Sequence, residues 1–259
     1  MIAVCSPGCP GTGGCDETVT ALTRSRQDYL KALYELAPEG ERVTTSRLAA
    51  RLDVSAPSVT NMLARLARER LVSHAPREGA RLTETGRHVA LAMVRRHRIL
   101  ETFLVRVLGL DWAEVHADAE VLEHHVSDHV LDAMDRLTGH PHEDPHGHPI
   151  PDSHGHVRQR ALAPLSRLTT GARAVVREIR DADGARMERW KRSGLVPGAR
   201  VKVRAVDALD GLVELEVGRR RVRAVVAGLE GVLVELVAGR APRRPRAGRC
   251  APRHRGSVR

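Results

Sequence analysis

Hydrophobic and polar positions follow two rhythms along this chain, and the change of rhythm divides it. From Arg24 the period is helical: Tyr29, Leu30, Leu33, Tyr34 and Leu36 fall on one stripe, which Pro38 and Gly40 end. A short second helix with Leu48, Ala49 and Leu52 on one face can be capped by Thr44 or Thr45. The turn DVSAP follows, with Ser55 as N-cap and Pro57 in the first turn of a third helix, where its missing N–H costs nothing. That helix has its core stripe at Val59, Met62, Leu63 and Leu66, and the whole order is that of a helix-turn-helix. Leu71 and Val72 can open a strand, a turn around Arg77, Glu78 and Gly79 reverses it, and residues 80–82 can return as the second strand of a wing. Thr83 or Thr85 can cap a long helix that ends near Gly109.

Asp111 opens a further helical segment, read as one helix over 115–128. The run GHPHEDPHGHPIPDSHGH (139–156) is too rich in Pro and Gly for a regular helix or strand and reads as a linker, although its histidines can also bind metal weakly. Beyond it the period becomes two. Residues 170–180 and 200–236 alternate as strands, with Val201 and Val203, then Val213, Leu215 and Val217, then Val232, Val234 and Leu236 on one face. A short helix, RMERWKRS, lies between them, and Leu209, Asp210 and Gly211 mark a hairpin turn. The chain therefore reads as mainly α with a small C-terminal β-barrel or sandwich.

Composition changes this picture in three ways. One Phe, two Tyr and two Trp in 259 residues leave Leu, Val, Ala and Ile to build the cores, which favours several small domains. No run approaches the roughly eighteen apolar residues of a membrane span and residues 1–15 lack a leader's charged and apolar regions, so a cytoplasmic protein is expected. Cys5, Cys9, Cys15 and Cys250 lie in Gly/Pro-rich or Arg-rich ends and resemble neither a disulfide framework nor a closed zinc site. The net charge of +10 is localised: twelve Arg face four acids between Arg42 and Arg98, and 240–259 holds eight Arg and no acid. A basic helix-turn-helix beside an acidic segment suits a nucleic-acid binder with a separate regulatory region. The exposed face of the third helix offers Ser55, Pro57, Ser58, Thr60, Asn61 and Arg65 to a double-stranded DNA operator.

The candidate chemistry lies in VHADAEVLEHHVSD. On a helix, Glu120, Glu123 and His124 stand at i, i+3 and i+4, with His116 one turn earlier, so all four can face one way. Such a stripe can hold a divalent metal; it is also what a solvated acidic face looks like. An enzyme is not expected: there is no GxSxG, and the literal HExxH at 142–146 contains Pro145 within the Pro-rich run. A metal buffer working through the His-rich run would show many weak sites and no effect of metal on DNA affinity.

Several motifs together, QDYLKALYEL, DVSAPSVTNMLARL, LTETGR, RRHRILETFL, EVLEHHVSD and HGHPIP, resemble the metal-dependent transcriptional repressors of the diphtheria toxin repressor family, in the three-domain form of its manganese-responsive branch. The resemblance spans about 25–236 and implies a winged-helix DNA-binding domain (23–90), a helical dimerisation and metal-binding domain (91–151), a linker (152–168) and an SH3-like domain (169–238), while composition alone reads a disordered lead (1–22) and a basic disordered tail (239–259). It implies a primary metal site of Asp28, Glu120, Glu123 and His124, and a secondary site of His97, Glu101 and His116 with Asp183 from the SH3-like domain. Two departures stand out: Arg186 replaces a neutral donor, and Lys31 stands where short manganese regulators carry Glu. The iron branch has Met and Cys where this chain has Asp28 and Glu120, so hard oxygen donors point to Mn2+ ahead of Fe2+. The implied protein is a homodimeric, Mn2+-responsive repressor of metal-homeostasis genes, with Fe2+-dependent control of iron uptake as the alternative, and with no membrane or small-molecule substrate as partner.

Overall fold

The computed structural model describes residues 22–237 apart from 76 and 181–183, so the lead, the basic tail, all four cysteines and Asp183 lie outside the described residues. Three helices come first: α1 (Arg24–Leu36), α2 (Thr45–Leu52) and α3 (Ala56–Arg68). Their ends are set locally, since the Thr44 side chain accepts from Arg47 N–H and that of Ser55 from Ser58 N–H. The wing is the antiparallel pair β1 (Val72–Ala75) and β2 (Gly79–Leu82), in register Val72 to Leu82, with Val43 bridging to Ala80. Leu30, Leu33, Leu48, Val59, Leu63 and Leu66 are sealed in this first core.

Thr83 caps α4 (Glu84–Arg106), whose 23 residues span roughly 34 Å. Its first half buries Val89 to Val94 in the winged-helix core, and its second half buries Ile99, Leu100 and Leu104 in a separate core with Val115, Ala119 and Leu131. One helix thus runs through the expected boundary at 90/91 and enters both cores.

The acidic helix read over 115–128 is two helices. α5 (Val115–Leu122) stops, and α6 (Asp128–Leu137) begins after Ser127, whose side chain accepts from Val130 N–H. The interruption has a tertiary cause. The buried Arg96 of α4 donates to the carbonyl of Glu123 at 3.0 Å, to that of Val126 and to the Asp128 carboxylate, withdrawing those carbonyls from helical bonding.

The His-rich run contains no regular helix or strand, as expected, but it is folded. Asp144 Oδ1 accepts from the N–H groups of His146 and His148, Asp152 Oδ1 does the same for His154 and His156, and Glu143 bridges to Pro149. Local side-chain to backbone bonds thus replace the repeating ones that Pro and Gly forbid. The β-domain is an antiparallel sheet in the order β3 (Ala163–Pro164), β8 (Val232–Leu236), β4 (Arg173–Ile179), β5 (Arg200–Asp207), β6 (Leu212–Val217) and β7 (Arg220–Val225), with α7 (Gly184–Arg192) packed on it. The alternating Val and Leu positions point inward as their period predicts, except Leu236, which is exposed. Trp112 and Ala113 of the helical unit pack into this core, and Ile179 N–H donates to His146 O. Gly147 makes that approach feasible: its φ is +86°, and a Cβ there would lie 1.8 Å from Arg177 O.

Candidate metal centre

The turn that ends α5 points Glu123 and His124 at α1, which carries Gln27, Asp28 and Lys31 on the face toward them. His124 is the pivot. Its Nδ1 lies 2.7 Å from Gln27 Oε1, and because an amide oxygen can only accept, Nδ1 carries the proton. Nε2 lies 2.9 Å from Asp28 Oδ1 and 3.5 Å from Glu123 Oε1. This buried Nε2 has no hydrogen-bond partner among the described residues. A cation beside Nε2 and Asp28 Oδ1 would turn both into ligands with bonds of about 2.1 Å. The donor set therefore fits a divalent cation held by Asp28, Glu123 and His124, with Gln27 fixing the ring.

A second group lies beside the first. His97 Nε2 is 2.9 Å from Glu101 Oε1 and 3.0 Å from His116 Nδ1, and His116 Nε2 is 3.5 Å from Glu120 Oε1. Glu120 thus stands with His97 and His116, while Asp28, Glu123 and His124 form their own trio. The two groups touch through His97 Nδ1, 2.6 Å from Glu123 Oε2, and through Lys31, whose Nζ lies 3.0 Å from Glu120 and 2.8 Å from Glu123. His146 approaches from the folded His-rich run, with Nδ1 3.4 Å from Glu101 Oε2 and Nε2 donating to Trp112 O at 2.7 Å.

Burial opposes charge throughout this cluster, and pairing overrides it. Burial alone would lower His97, yet the Glu101 carboxylate, with hydrogen bonds to Glu101 and Glu123, raises it to about 9. Glu101, also desolvated, is held well below the usual carboxylate range by His97, His116 and His146. Glu120 is lowered, against its burial, chiefly by Lys31, and Lys31 is raised by Glu123 and Glu120 in spite of its own burial. Four carboxylates, Asp28, Glu101, Glu120 and Glu123, thus gather around the Lys31 ammonium, with the imidazoles of His97, His116 and His124 among them. Arg24 reaches Asp28 only at 4.0 Å from an exposed position, where solvent screens it.

The spacing of EVLEHHVSD places Glu120, Glu123 and His124 together in space, although not by the single helix that the spacing suggested. Asp28, 96 positions before His124, is brought beside it by the packing of α1. His97, Glu101 and His116 also meet, while His125 is exposed. Gln27 and His146 were missed. Gln27 carries no signal in the sequence beyond a polar residue on a buried face; the signal for His146 was the DPHGH turn, in which Asp144 sets the backbone. At the other end of the winged-helix unit, Ser55, Pro57, Ser58, Thr60, Asn61 and Arg65 are all exposed on one side of α3, free of the core that Val59, Leu63 and Leu66 enter.

The chain is similar to known proteins along most of its described length. Residues 21–80 match the iron dependent repressor N-terminal DNA binding domain, 83–152 the iron dependent repressor metal binding and dimerisation domain, and 163–228 the FeoA domain. The iron-dependent repressor IdeR of Mycobacterium tuberculosis is 35% identical over 194 residues, which cover 70% of this chain and 84% of that protein. The diphtheria toxin repressor of Corynebacterium diphtheriae is 39% identical over 109 residues, 42% of this chain and 48% of that one. Among solved structures, a manganese-dependent transcriptional repressor in complex with manganese superposes with a TM-score of 0.76 at 37% identity, covering 82% of this chain and 100% of its own. ScaR with bound Cd2+ superposes with a TM-score of 0.70 at 31% identity, covering 82% and 99%.

Proposed function

This chain belongs to the diphtheria toxin repressor family of metal-dependent transcriptional repressors, DNA-binding proteins and not enzymes, and we propose that Mn2+ is the metal to which it responds. The observation that carries the reading is the buried His124 Nε2, without a hydrogen bond, facing Asp28 across two domains. Asp28 belongs to the winged-helix unit, and Glu123 and His124 belong to the helical unit, so residues that hold one ion also hold α1 against the turn after α5. A divalent cation supplies charge and directed coordination there. The chain's own part is to fix α3 relative to the helical unit, where Val107, Leu108, Leu110, Val121, Val130 and Leu137 leave exposed apolar surface for a second copy. A two-fold homodimer would then present two α3 helices at the half-site spacing of an operator, read by Ser55, Pro57, Ser58, Thr60, Asn61 and Arg65. A cytoplasmic location fits this role; among the described residues no helix is long and apolar enough to cross a membrane.

Asp28 and Glu123 offer hard oxygen beside the single imidazole of His124, Glu120 adds a carboxylate beside His97 and His116, and no sulfur is present, which suits Mn2+. Support also comes from the manganese-bound repressor that this chain resembles in structure. Fe2+ is the second reading, favoured by the iron-dependent repressors among its relatives. His97, Glu101 and His116, joined by His146, form a second, supporting metal site, and the expected Asp183 lies outside the described residues. The double substitution Asp28→Met with Glu120→Cys tests the ligand argument: competition binding should move toward Fe2+ relative to Mn2+, and an unchanged preference would refute it.

A further inference from the structure

Lys31 lies in the middle of the centre and cannot ligate a cation while it is one. Only 3% exposed, it puts Nζ 2.9 and 2.8 Å from the two oxygens of Glu123, 3.0 Å from Glu120 Oε1 and 3.0 Å from His97 Nδ1. Its contacts span both groups of donors, since Glu123 belongs with Asp28 and His124 while Glu120 belongs with His97 and His116. A buried ammonium with three anionic oxygens around it does what a bound ion would do. It offsets charge and ties α1 to the helical unit.

We propose that Lys31 is a tethered counter-cation that occupies the position shared by Glu120 and Glu123 in the metal-free protein and competes with the divalent ion, so that it sets the metal concentration at which the protein responds. This rests on the metal reading above. The competition is geometric: Glu123 Oε1, which faces His124 Nε2 at 3.5 Å, is the same oxygen that holds Lys31 at 2.9 Å. An ion bound to that oxygen would stand within about 4 Å of the ammonium, where like charges in a partly desolvated site repel strongly. Lys31 must therefore release at least one Glu123 oxygen, and each metal-bound complex carries the cost of that release. The carboxylates also need not spring apart without metal, because Lys31 already holds them.

Lys31→Met keeps the chain length and removes the charge. Titration with Mn2+ followed by calorimetry should show binding tighter by at least about tenfold, and hydrogen exchange in chelator should show α1 amides opening faster than in wild type. Unchanged or weaker Mn2+ binding in the folded variant would overturn the proposal. A variant that is unfolded in chelator and folds with Mn2+ supports it, because the ion then replaces the missing charge. If the variant folds in neither condition, the wild type decides. Reductive methylation of Lys31, read by mass spectrometry, should be slow in chelator and faster with Mn2+, and equal rates would refute the competition. Wild type that binds Mn2+ through His124, with Lys31→Met indistinguishable from it, sinks this inference alone. His124→Ala binding Mn2+ as well as wild type sinks the metal reading with it.

Discussion

At the scale of single residues, the account turns on which atom of which ring faces which oxygen. Gln27 holds the His124 tautomer by one hydrogen bond, so Gln27→Leu should weaken Mn2+ binding by about 10- to 100-fold while leaving the unfolding temperature in chelator nearly unchanged. Calorimetry checks the first and calorimetric melting the second; undiminished affinity would mean the ring is oriented by something else. His97 makes a prediction in pH. Its value rises from 6.5 unfolded to about 9 folded, so its contribution to metal-free stability is complete below 6.5 and disappears as pH climbs through 9. Glu101 and Glu120 shift the other way from 4.5, and their contribution is present above that value and lost as the solution is acidified through their lowered values. Melting in chelator should therefore be most stable between about 4.5 and 6.5 with respect to this cluster, and fall from 6.5 to 9; a rise over that interval contradicts the pairing. At this scale the sequence was legible where the ligands share a short motif. Glu123 and His124 are neighbours, whereas Asp28 and His97 reach them only through the packing of α1 and α4. Periodicity cannot show that, and the family motifs did.

Among the elements, those with local causes could be read directly. The caps Thr44, Ser55 and Thr83, the wing turn and the inward Val and Leu positions of the β-domain are set by residues within a few positions of one another. The break between α5 and α6 could not be read, because helical spacing continues through it and the cause is Arg96, 27 positions before the Glu123 carbonyl it captures. Ser127 caps the new helix, and Ser127→Ala should lower stability by about 1 kcal/mol in thermal melts. An effect near zero would place α6 under tertiary control alone. The folded His-rich run was read as a linker for a related reason. Pro and Gly forbid repeating hydrogen bonds, but Asp144 and Asp152 supply local ones that no propensity counts. Gly147→Ala should push this run off β4, since the new methyl would collide with Arg177 O. Faster proteolysis within 157–168 is the expected sign, and wild-type resistance would show that the two units separate without consequence.

At the scale of the molecule, three cores among the described residues are strung together by α4, which enters the first and the second, and by the Trp112 and His146 contacts, which enter the third. In the proposed mechanism the metal centre sits where the first two units face each other, so that binding an ion, which displaces Lys31 from Glu123, is coupled to how α3 is held. Coupling of this kind is reciprocal, and typical values of 1–3 kcal/mol correspond to roughly 5- to 150-fold in affinity. The most direct test measures binding of the purified protein to a duplex selected from a random-sequence pool by the Mn2+-loaded form, at fixed salt, with Mn2+, with Fe2+ and with chelator, alongside Asp28→Ala. The account predicts binding at least about fivefold tighter with Mn2+ than with chelator in wild type and no such gain in Asp28→Ala. Equal wild-type affinity in Mn2+ and chelator would contradict it.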